Sequence, residues 1–106
     1  MKAMAMAAVL VLVAGPAVAR DVRMPPVLFD HEPIQDYRVL TSDQATINRM
    51  CADHFAAARR SDPDARVVGC SRIGGDVIWI VKGLSAETRG KVLRHEKAHL
   101  NGWYHS

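Results

Sequence analysis

Apolar positions along this 106-residue chain change period several times. Ala7 to Ala14 is one unbroken apolar stretch. From Arg20 to Gln35 apolar and polar residues mix with neither helical nor strand period, and Pro25, Pro26 and Pro33 punctuate the segment, which reads as an extended lead. Tyr37 to Leu40 fits a short strand. Ile47, Met50, Cys51, Phe55 and Ala58 then recur at helical spacing, and Thr41 with Gln44 three residues on matches a capping box. A first helix is expected from Thr41 to about Arg60, stopped by Ser61-Asp62-Pro63-Asp64. Two runs follow, Ala65 to Ile73 and Asp76 to Lys82, with Val67, Val68, Val77, Ile78, Trp79, Ile80 and Val81 favouring strands. Gly74-Gly75 between them suits a tight hairpin with positive φ angles. Ser85 is a good N-cap for a second helix to about Asn101, whose Val92, Leu93, Ala98 and Leu100 supply apolar surface. The expected fold is a small single α+β domain: an N-terminal helix, a β-hairpin or short antiparallel sheet, then a C-terminal helix.

The first apolar stretch changes how much of the chain belongs to that domain. Lys2 precedes it, Gly15-Pro16 breaks it, and Ala17-Val18-Ala19 is an A-x-A cleavage site. Residues 1–19 read as a secretory signal peptide. The alternative, a membrane anchor, needs roughly 20 apolar residues and the run is shorter. Residues 20–36 are then the Pro-containing lead and 37–106 the folded domain. Removing nineteen residues, Lys2 among them, leaves 87 and lowers the net charge from +3 to +2. Acids and bases interleave, so nucleic acid is not an expected partner. A core this small gains from a staple. In an exported chain Cys51 and Cys70 are expected to form a disulfide, worth roughly 3 kcal/mol in the chain-entropy account, with two buried thiols as the alternative.

Three of the five histidines fall within eleven residues. His95-Glu96-Lys97-Ala98-His99-Leu100-Asn101-Gly102-Trp103-Tyr104-His105 reads H-E-x-x-H-x-x-G-x-x-H. Residues four apart share a helix face, so His95 and His99 can present two imidazoles to one ion. Gly102 can take a left-handed conformation that ends the helix and swings His105 back as third ligand. Three nitrogens leave a fourth position for water, and Glu96 sits where a general base would take that water's proton. The bland alternative is a polar helix end with no metal.

This run resembles the metzincin metalloproteases, whose signature has the same histidines, glutamate and glycine, and Gly102-Trp103-Tyr104-His105 is most similar to the astacin-type run of glycine, aromatic, tyrosine, histidine. The resemblance covers eleven residues. It departs from the clan in lacking a methionine turn after the third histidine. It implies a minimal zincin-like fold, about one zinc ion per chain on His95, His99 and His105, Glu96 as catalytic base and a peptide or protein substrate. Zincin-like peptidases seat an extended substrate along an exposed strand, a role here for Asp76 to Lys82 or its partner strand, unless the hairpin only forms core.

Residues beside the motif carry weaker expectations. Tyr104 is a candidate transition-state stabiliser, with packing or a backbone hydrogen bond as the alternative. Trp103 is expected to plug the core beneath the turn. His54 reads as a surface or satisfied histidine. In one reading Asp30-His31-Glu32 folds across the cleft and offers the metal a carboxylate, so that removing Arg20 to Gln35 raises activity; a solvated charged loop is the alternative. Three functions remain open: a small exported zinc metallopeptidase; a non-catalytic zinc-binding envelope protein, closed by a fourth ligand such as Asp76, His31 or the Ser106 carboxylate; and a subunit whose cleft a partner chain completes.

Overall fold

Strand alternation around the Gly74 turn builds the centre of the molecule. The computed structural model describes residues 7–13, 22–52 and 65–105, with side chains at 22–52 and 66–105. Its elements are β1 (Ala7–Val13), β2 (Arg38–Ser42), α1 (Gln44–Met50), β3 (Ala65–Arg72), β4 (Val77–Val81) and α2 (Ala86–Leu100). The result is a small α+β domain. No helix among the described residues is long and apolar enough to cross a membrane.

The hairpin β3–β4 is antiparallel, with Cys70 opposite Trp79 and Ser71 opposite Ile78. Its turn closes with Gly75 N–H donating to the Arg72 carbonyl at 2.9 Å. Only Gly74 of the glycine pair takes positive φ, at 74°. The sheet is larger than the expected hairpin and is mixed. Its order is β1-β3-β4-β2, with β2 parallel to β4 and β1 antiparallel to β3. β4 is therefore interior, so Asp76 to Lys82 is not an exposed edge.

Parallel pairing also corrects the first helix. Thr41 and Ser42 lie in β2, opposite Ile80 and Val81, and cannot cap. Asp43 is the N-cap instead, its carboxylate accepting from Thr46 N–H at 2.8 Å. Gln44 spends its amide on Asn48 and, at 2.7 Å, on the Val67 carbonyl across the fold. The remainder of the expected helix, beyond residue 52, lies outside the described residues, as does His54.

Alternation sorts the two helices onto opposite faces of the sheet. Gly69 and Ser71 share a phase, and α2 lies on it: a Cβ at Gly69 would stand 3.3 Å from Val92 Cγ1 and 2.8 Å from the Trp79 carbonyl oxygen. Only glycine permits that approach. Cys70 points the other way and forms the expected disulfide with Cys51 at the end of α1, Cα atoms 6.0 Å apart. The disulfide indicates a non-reducing compartment. On this α1 side Arg38, Met50, Cys70 and Trp79 help bound a groove of about 380 Å³, across the sheet from the histidines.

The lead is exposed over most of its length, His31 and Glu32 included, but it is anchored. Val22, Pro25 and Pro33 are buried, and a single 3-10 turn spans Val27–Phe29. Asn101 donates its amide to the carbonyls of Phe29 at 2.9 Å and His31 at 2.7 Å. Gln35 donates to Gly75 and Leu100 carbonyls at 2.9 and 3.1 Å. Asp30 pairs with Arg94, and Glu32 with Lys97 at 2.9 Å and with Tyr37. The lead is a strap tied along α2, and its carboxylates go to the helix's cations, which corrects the expectation that one reaches the metal position.

Candidate metal centre

Ser85 starts the helix that carries the site, its hydroxyl accepting from Thr88 N–H at 3.1 Å. Ten residues on, His95, Glu96 and His99 are all fully buried. The helix ends in a Schellman arrangement: Gly102 N–H donates to His99 carbonyl and Trp103 N–H to Ala98 carbonyl, each at 3.0 Å, with Gly102 at φ 106°. That turn returns His105 to the other two. The Nε2 atoms lie 3.1 Å apart for His95–His99 and His95–His105, and 3.2 Å apart for His99–His105.

Two ring tautomers follow from carbonyl partners. His95 Nδ1 donates to the Arg23 carbonyl at 2.6 Å and His99 Nδ1 to the Trp103 carbonyl at 2.7 Å. When the rings are neutral, that tautomer turns the lone pair of each Nε2 inward. Lone pairs facing one another at this distance repel unless a cation sits among them. Separations of 3.1–3.2 Å fit bonds of roughly 2.0–2.1 Å to one ion at angles near 100°. Three histidines thus lie close enough to bind a metal ion. Burial keeps His95 neutral, pushing its pKa down to about 4 against the Arg23 carbonyl bond, with the charges of His105 and Arg23 also lowering it.

Trp103 is the floor. It is buried, stacks on His99 at 4.9 Å with the planes 11° apart, and meets His95 and His105 at 5.1 and 4.7 Å. Glu96 is placed by β3: Ser71 donates its hydroxyl to Glu96 Oε1 at 2.6 Å. Glu96 Oε2 is buried with no hydrogen-bond partner among the described residues. Burial raises the Glu96 pKa to about 8, the Ser71 bond opposing. A cation at the three nitrogens favours the carboxylate and acts the other way.

The other sequence candidates fall outside this cluster. Tyr104, next to His105 in the chain, is 61% exposed. His31 is exposed, its ring on the Glu32 carbonyl, and Asp76 is exposed on the hairpin turn. Neither joins the histidine group, and Ser106 lies outside the described residues. Sequence reasoning missed Ser71 and the Arg23 carbonyl. Ser71 carried a signal, being a polar residue on the core-facing phase of an apolar strand; a backbone carbonyl carries none.

Comparison with known proteins returned no match: no family model, no curated protein and no solved structure is significantly similar to this chain. Function has to be argued from the site.

Proposed function

We propose that the chain is a small exported zinc-dependent metallopeptidase of the zincin type its motif resembles. The observation that carries this reading is Glu96: a carboxylate directly after the first ligand, fully buried, with one oxygen fixed by Ser71 and the other without a partner among the described residues. A purely structural ion has no use for it. Catalysis by activated water does.

In this mechanism His95, His99 and His105 would hold the ion, and the Arg23 and Trp103 carbonyls would keep the first two rings in the ligating tautomer. Zinc held there would supply Lewis acidity towards a substrate carbonyl and towards water. Glu96 Oε2 takes the proton from the attacking water and returns it to the leaving amine. Tyr104, exposed beside His105, is available to a developing oxyanion. Export is supported by the leader-like residues 1–19 and by the disulfide.

Elemental analysis of the oxidised chain beside His99→Ala tests the centre: about one zinc per chain, lost in the variant, is expected. A peptide-library screen then tests turnover, with Glu96→Gln keeping zinc and losing cleavage. Cleavage that survives Glu96→Gln unchanged sinks the mechanism, and no metal uptake at neutral pH sinks the whole reading.

A further inference from the structure

β4 is an interior strand, yet its two faces are covered unequally. Ile78 and Ile80, on the α2 face, are fully buried, while Val77 and Trp79 on the α1 side are only half-buried. Leu40 and Cys70 flank Trp79 in one cross-strand row, and Arg38 flanks Val77 in the next. Carried on by one residue, the β3–β4 register sets Arg72 on the other side of Val77. Side chains level with one another across a sheet point the same way, and neighbouring strands lie about 4.8 Å apart. The two arginines therefore rise from one face with backbones about 10 Å apart and Val77 between them.

These rows bound the groove of about 380 Å³, a volume suited to a small molecule. Trp79, Leu40 and Val77 line its floor, and Met50, 49% exposed, and the Cys51–Cys70 bridge line its α1 wall. Aromatic and sulfur groups together make a polarizable surface that suits a flat apolar body. Both arginines are exposed, and neither pairs with a carboxylate among the described residues. Asp76 also borders the groove, so two cations less one anion leave a charge of +1 there. An apolar floor beside two unpaired guanidiniums selects an anion with an apolar body, and a carboxylate matches the guanidinium fork.

We propose that this groove binds a small aromatic monocarboxylate, its ring on Trp79 and its carboxylate over Val77 between Arg38 and Arg72. The site lies across the sheet from the histidines and does not depend on the peptidase reading.

The test titrates the oxidised, metal-free chain with naphthoate and with its neutral isostere naphthamide, by calorimetry and by NMR shifts of backbone amides and indoles. Naphthoate should bind roughly tenfold more tightly than the amide, and added salt should weaken the acid alone. Its shifts should centre on the Trp79 indole and the amides of Arg38, Arg72 and Val77, and leave those of His95 and His99 in place. Arg38→Gln and Arg72→Gln alter exposed side chains, so the fold is kept; each should weaken the acid about threefold, and together they should erase its preference over the amide. Asp76→Asn should strengthen acid binding about twofold. Decanoate tests the ring, and binding as tight as naphthoate's overturns the aromatic assignment. Equal affinity for acid and amide, full acid affinity in the double variant, shifts centred away from the groove, or no saturation at millimolar concentration each overturns the proposal. So does a groove that the protein fills itself, seen in the free chain as nuclear Overhauser contacts from residues beyond Ala52 onto the Trp79 indole, or as a dimer that the acid dissolves.

Discussion

Two regions form the candidate metal centre, and they are built differently. The segment from Ala86 to His105 positions its ligands by local geometry: one helical turn separates His95 from His99, and a Schellman turn sets the direction of His105. The strap from Val22 to Tyr37 has almost no regular structure, yet it delivers the Arg23 carbonyl to His95. It is held by bonds to residues about 40 to 70 positions away, from Asn101, Gln35, Arg94 and Lys97. Local order makes a ligand set. Long-range bonds anchor the strap whose Arg23 carbonyl orients the His95 ring.

The largest break in this pairing is on the helix side. His99→Ala removes a fully buried member of the histidine cluster that also stacks on Trp103, and should lower metal affinity by at least about 100-fold, measured by competition with a chromogenic chelator. The strap side comes next. Asn101→Asp turns a donor into an acceptor facing two carbonyls at the end of the helix, and should cost about 2 kcal/mol in urea unfolding. If the strap sets the tautomer of His95, the same variant lowers metal affinity by roughly tenfold. Unchanged affinity would reduce the strap to a stabilising element. By the same logic, removing Arg20 to Gln35 should weaken the centre, the opposite of the relief expected of a blocking lead.

Gly102→Ala probes the turn between the two ring pairs. The nearest atom to a Cβ there is Phe29 Cε1 at 3.9 Å, so the penalty comes from the φ of 106° and not from a clash. About 1 kcal/mol of stability is expected to go, with a drop in metal affinity as His105 is displaced. The smallest effect belongs to the strap's exposed charges. Arg94, by its hydrogen bond, holds the Asp30 carboxyl below the ordinary 3.8. A depressed folded pKa stabilises above the unfolded value, and that contribution is lost as pH falls through the folded one. Asp30→Asn should therefore lower the neutral plateau of a stability–pH profile slightly, flatten its acid limb by the same small amount, and leave stability at low pH unchanged.

Much of the helix side was legible in order. Ser85, the i and i+4 histidines and Gly102 each act within a few residues, and the structure puts each where the spacing did. The hairpin and the Cys51–Cys70 bridge were also readable, from β-branched runs around a glycine turn and from an even cysteine count. The first helix was misread at its start because Thr41 looked like a cap. Capping chemistry is local, but Thr41 pairs with Ile80, almost forty residues away.

Sequence alone determined which residues could be ligands, because the period of a helix and the conformational freedom of glycine are properties of a few consecutive residues. Tertiary structure decided the rest: that β4 is interior and β3 borders the centre, that Ser71 holds Glu96, that Trp103 underlies all three rings and that Arg23 serves through its backbone. Those contacts join positions far apart in the chain through carbonyls and buried hydroxyls, groups that every residue or many residues carry, so no local pattern could announce them.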